Sequence, residues 1–143
     1  MDTVGKTVYE LELGEKASFS KTISESDVYL FAGITGDLNP MHVNREYVAK
    51  TFFKKPIAHG PLITGLVAPV LGMKLPGLGT VLVELQTRYL APVYFGDTVS
   101  VKIELVAKDE KKNRANFDCQ WVNQAGKVIA DGKAIVSPPV RKK

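Results

Sequence analysis

Cysteine occurs once in this chain, tryptophan once and histidine twice. A lone Cys119 excludes an internal disulfide and any cysteine-based zinc cluster. Its setting, Ala115-x-Phe117-x-Cys119-x-Trp121, is an alternating apolar row, so a buried thiol is expected. The longest apolar run, residues 61–71, is too short and too broken to cross a bilayer, which removes a membrane as partner. Charge of one sign is nearly absent as well. The net charge is +4, and three of those charges are Arg141, Lys142 and Lys143, so the body is close to neutral (4 − 3 = +1) and a nucleic-acid partner is not expected. No basic segment followed by an apolar one opens the chain, so no leader is expected and a cytoplasmic location is. Gly-x-Ser-x-Gly is missing, which argues against a serine hydrolase. Gly77-x-Gly79 lacks the further residues of a phosphate loop.

What is there is one domain's worth of ordinary globular chain, residues 1–143, with 45% apolar and 24% charged residues. Residues 8–13 and 17–23 read as short strands around a turn. Ser24 reads as a helix N-cap, with Asp27 completing a capping box, and the helix should run to Gly36. Residues 36–40, Gly-Asp-Leu-Asn-Pro, are turn chemistry. Asn44 caps a short helix that follows. Pro61 suits a helix first turn, and residues 62–74 are apolar almost all round, which predicts one long helix buried on every side and bent at Pro69. Beyond it, residues 81–89, 99–105, 115–122 and 127–136 alternate apolar and polar with turns between them, an antiparallel meander with one wet face. The class is α+β, a curved sheet wrapped around the apolar helix. An exposed sheet edge in such a fold predicts pairing with a second copy.

Chemistry has few candidates. Asp37 and His42 lie five positions apart across a tight turn, and a carboxylate and an imidazole so placed can hold a water and move its protons. Turn-building alone accounts for the same residues, and both readings stay open. His59-Gly60 opens the apolar helix, where unpaired backbone N–H groups face out. Gly60 N–H can donate to an oxyanion there. The alternative is that Gly60 shapes the loop and His59 caps or packs. A metal held by Asp37, His42 and His59 has the right donors but no helical His-x-x-x-His pairing.

These residues resemble a known family. Gly36-Asp37-Leu38-Asn39-Pro40-Met41-His42, then Tyr47, Thr51, Phe53 and Ile57-Ala58-His59-Gly60 are similar to the hydratase motif of the MaoC-like (R)-specific enoyl-CoA hydratases. Leu71-Gly72, Leu75-Pro76-Gly77-x-Gly79, Pro92-Val93, Gly96-Asp97-Thr98 and Asn123-x-x-Gly126 extend the match. The resemblance implies a hot-dog fold, homodimers or dimers of dimers, and reversible hydration of trans-2-enoyl-CoA to (R)-3-hydroxyacyl-CoA. It assigns the catalytic water to Asp37 and His42, the oxyanion donor to Gly60, and supporting roles to Asn39 and His59. It implies no cofactor, with the CoA thioester as substrate, and no metal. Pro61 removes a second N–H beside Gly60. Ala68 stands where some members carry a serine near the dyad. The alternatives are a dehydratase of acyl-carrier-protein thioesters, for which Lys54-Lys55 offers a basic patch, a hot-dog thioesterase, and a non-catalytic thioester-binding module.

Overall fold

The computed structural model describes residues 4–142; residues 1–3, read above for a leader, and Lys143 of the basic tail lie outside them. Five strands form one antiparallel sheet in the order β1-β3-β4-β5-β2: β1 Lys16–Thr22, β2 Val81–Tyr89, β3 Thr98–Asp109, β4 Arg114–Val122 and β5 Val128–Ser137. Strands β3, β4 and β5 are the meander that the alternation predicts. β2 crosses the sheet to pair with β5 at the far edge instead of lying beside β3. One face of the meander, with Val101, Ile103, Leu105, Ala115, Phe117, Cys119, Trp121, Ala134 and Val136, is buried against the apolar residues of the segment after Gly60. The α+β architecture of a sheet packed on a central helical segment is therefore present.

That segment is not one helix. It comprises α4 Gly60–Thr64, α5 Val67–Pro69 and a π-helical turn Val70–Lys74. Pro69 has no N–H, so the regular ladder cannot continue through it, and the wider turn begins at the next residue. Nor is it buried on every side. Ile63, Val67, Val70 and Leu71 are buried, whereas Pro61, Gly65, Ala68 and Met73 are exposed.

Residues 8–13 form turns and not the expected strand. Val8 and Leu11 are the buried pair, a spacing of three that suits a turn. The Lys108 ammonium fixes it by donating to both their carbonyls, at 3.0 and 2.8 Å. Elsewhere local chemistry acts as expected. Ser24 and Asp27 form a reciprocal capping box on α1 Glu25–Thr35, which stops at Gly36. Asn39 caps α2 Pro40–Val43, a helix the turn reading did not include, and Asn44 caps α3 Arg45–Ala49. Arg141 of the tail is not free, since it pairs with Glu10 at 2.9 Å. Among the described residues no helix is long and apolar enough to cross a membrane.

Candidate active site

The loop from α1 to α2 is held by its own side chains. The Asp37 N–H donates to Thr35 Oγ1 (3.2 Å), and Asp37 Oδ1 accepts from the Asn39 N–H (3.2 Å). Asn39 Oδ1 accepts from the Met41 N–H (3.0 Å), satisfying one orphan donor of α2. Asn39 thus shapes the turn that carries Asp37 into α2, and His42 sits in that short helix.

His42 is 8% exposed, and its Nδ1 lies 2.6 Å from the Ile57 carbonyl oxygen. A carbonyl only accepts, so Nδ1 carries the proton and Nε2 keeps a free lone pair. Burial holds the His42 pKa below its ordinary 6.5 and outweighs the opposing pull of that hydrogen bond and of the Asp37 carboxylate; neighbouring His59 adds to the lowering.

His59 is fully buried. Its Nε2 donates to the backbone carbonyl of Asp37 (3.0 Å), its ring stacks on His42 with centroids 3.8 Å apart, and Phe31 packs on it at 4.8 Å. Its Nδ1 is buried and, among the described residues, has no hydrogen-bond partner. His59 does not cap α4 by a side-chain hydrogen bond; it packs, and it ties the Asp37 backbone to the His42 ring.

Gly60 is the first residue of α4, and among the described residues its N–H donates to no hydrogen bond. A Cβ here would stand 2.7 Å from Cε1 of Tyr89, so any side chain at this position has to displace that ring. Thr64 Oγ1 donates to the Gly60 carbonyl (3.3 Å). The Tyr89 hydroxyl, 3.1 Å away, is then the donor to Thr64. Pro61 follows Gly60 and offers no second N–H.

Asp37, His42 and Gly60 line one cavity of about 510 Å³, together with Phe53, Ile57, Ile63, Tyr89, Val93 and Ile129 among others. The two residues expected to share a water and the amide expected to face an oxyanion are therefore brought together, in a space with mostly apolar walls. Ala68 is exposed and is not among the residues that line this cavity. Sequence reasoning missed the Ile57 carbonyl, Tyr89 and Thr64. A backbone carbonyl has no sequence signal, and Tyr89 looks like any strand-end aromatic.

One ligating atom from each of Asp37, His42 and His59 lies within 4.8 Å of the others. The donor types suit a metal, and each ring already has one nitrogen committed to a backbone carbonyl, His42 Nδ1 to Ile57 and His59 Nε2 to Asp37. A larger groove of about 990 Å³ on the outer face of the sheet carries Lys16, Arg88, Lys102, Glu104, Asp118 and Asp131. It holds neither histidine, and two of its cations are paired with carboxylates, Lys16 with Glu104 (3.5 Å) and Arg88 with Asp131 (2.9 Å).

Residues 9–123 match the family model described as MaoC like domain. An (R)-specific enoyl-CoA hydratase of Rhodospirillum rubrum is 43% identical over 132 residues, covering 92% of this chain and 91% of the relative. A 3-hydroxybutyryl-CoA dehydratase of Methylorubrum extorquens is 41% identical over 130 residues, covering 91% of this chain and 82% of the relative. Among solved structures, an R-hydratase of Pseudomonas aeruginosa in its unliganded form superposes with a TM-score of 0.90 at 39% identity, covering 96% of this chain and 88% of that one.

Proposed function

The chain belongs to the MaoC-like domain family, whose fold is the hot-dog, and from that premise we infer that it is an (R)-specific enoyl-CoA hydratase, a lyase that hydrates trans-2-enoyl-CoA reversibly to (R)-3-hydroxyacyl-CoA. The observation that carries this reading is the single cavity shared by Asp37, His42 and the Gly60 amide.

The chemistry follows from charge. When the oxygen of water bonds to C3, the C2=C3 electrons move through C2 onto the thioester oxygen. The Gly60 N–H at the start of α4 donates to that oxygen, a contribution typically worth about 3–4 kcal/mol in the transition state. Burial and the Ile57 hydrogen bond present neutral His42 with Nε2 as acceptor, so His42 takes a proton from the water while Asp37 holds its other O–H. A proton from the dyad then goes to C2 as the enolate collapses. One water enters and nothing is oxidised or reduced, so the reaction calls for no redox cofactor, and Asp37, His42 and the Gly60 N–H supply the acid–base and oxyanion groups it uses. Asn39 and His59 support the dyad, Asn39 through the turn and His59 through the Asp37 backbone and the His42 ring. The lone unpaired thiol of Cys119 fits a cytoplasmic location. The exposed apolar residues of edge strand β2 fit a homodimer joined there.

Purified protein given crotonyl-CoA should lose enoyl absorbance and form the R alcohol. Asp37→Asn and His42→Ala should each lower kcat about a hundredfold or more, with the far-ultraviolet circular dichroism unchanged. Release of free thiol would make it a thioesterase, and no turnover at any chain length would make it a binding module.

A further inference from the structure

The cavity accounts for the reacting end of a thioester and leaves its other end without a site. Residues 50–55 read Lys-Thr-Phe-Phe-Lys-Lys. Phe53 lines the cavity, while Phe52 beside it is 90% exposed, more than any other large apolar side chain described. The two rings meet edge-on, centroids 5.7 Å apart at 79°, so the apolar wall of the cavity continues through Phe53 to an open aromatic face outside. Lys50, Lys54 and Lys55 are all exposed, and among the described residues none forms an ion pair with a carboxylate.

This segment is braced and not loose. The Phe53 N–H donates to Thr51 Oγ1 (3.3 Å), and the Phe53 carbonyl accepts from the Tyr94 hydroxyl (3.2 Å) and the Lys55 N–H (2.8 Å). The Lys55 ammonium lies 5.1 Å over the Tyr94 ring. Lys54 stands at φ 67°, a left-handed conformation that costs a side-chain-bearing residue and that glycine adopts freely.

We propose that residues 50–55 grip the nucleotide end of the CoA carrier, with Phe52 stacked on the adenine and the Lys50 and Lys54 ammonium groups against its phosphates. An exposed ring supplies sequence-tolerant stacking for a base, and flanking cations supply the charge that phosphates need. The proposal rests on the hydratase reading and deepens it, because it makes CoA, and not an acyl carrier protein, the carrier this site recognises.

The test compares crotonyl-CoA with crotonyl-pantetheine, which ends before the nucleotide, on the parent protein, Phe52→Ala and Lys54→Gly. The parent should prefer crotonyl-CoA in kcat/KM by roughly tenfold or more. Each variant should raise KM for crotonyl-CoA about fivefold to tenfold at little changed kcat. With crotonyl-pantetheine the variants and the parent should coincide. Lys54→Gly should keep or raise Tm, since it removes a strained φ, and a binding loss beside an intact Tm separates recognition from folding. Equal kcat/KM on the two thioesters would overturn the proposal. So would variants equally slow on both, a higher kcat/KM on a crotonyl carrier protein, or a change of oligomeric state in Phe52→Ala, which would make the ring a contact between copies. If neither thioester is hydrated by the parent, the hydratase reading itself fails, and the proposal falls with it.

Discussion

An imidazole is a base only through the nitrogen that lacks a proton, and at His42 the carbonyl of Ile57 decides which one that is. The same residue is buried, which lowers its pKa from the ordinary 6.5. Between the folded value and 6.5 the unfolded chain binds more protons than the folded one, so stability rises with pH across that window. It is fully present above 6.5 and is lost as pH falls through the folded pKa. In the mechanism proposed above His42 acts in its neutral form, so the acid limb of kcat/KM against pH should lie below 6.5. A pH–rate profile on crotonyl-CoA checks this, and an acid limb at or above 6.5 would count against His42 as the acceptor. Spacing alone allowed Asp37 and His42 to meet, but turn-building accounted for the same residues, and it was the family motif that assigned roles to them and to Gly60. What tunes them was not legible. The Ile57 carbonyl and the stacking of His59 on His42 arise from chain segments brought together only on folding, 15 residues apart for the hydrogen bond.

At the scale of elements, β5 passes so close to β2 that one position admits no side chain. A Cβ on Gly132 would lie 1.9 Å from the Gln86 carbonyl oxygen and 3.0 Å from the Thr87 Cα, both backbone atoms of the paired strand. Neither can yield without parting the ladder. Gly132→Ala should therefore cost about 3 kcal/mol or more of stability, read as a lowered urea midpoint; a loss below about 1 kcal/mol would mean that the strands shift freely. The strands themselves were readable because a period of two survives in the sequence, with Val101, Ile103 and Leu105 facing Trp121, Cys119 and Phe117 in turn across the ladder. The central segment misled for a physical reason. Apolar residues all round imply burial all round only for a helix that stays whole, and Pro69 prevents that. The turn at Val8 and Leu11 was hidden because the lysine that fixes it, Lys108, is about a hundred residues away.

For the molecule as a whole, the order of strands leaves β2 at an edge with Val81, Leu82 and Val83 exposed. An unpaired apolar edge is a template for a second copy. The parent should sediment as a dimer, and Val83→Lys, which places a charge on that edge, should shift it toward the monomer mass. A monomeric parent, or a variant of unchanged mass, would move the contact elsewhere or remove it. That an edge needs covering could be foreseen from a sheet of this size, but which strand supplies it could not, because β2 reaches its place by a long connection that no local pattern records. The deepest layer of the sheet has a different consequence. Cys119 sits in the core with its thiol pushed up to about 12, so in the native protein it is neither ionised nor within reach of an alkylating reagent. Modification has to wait until the strands part, which makes this one sulfur an intrinsic clock for the opening of the sheet.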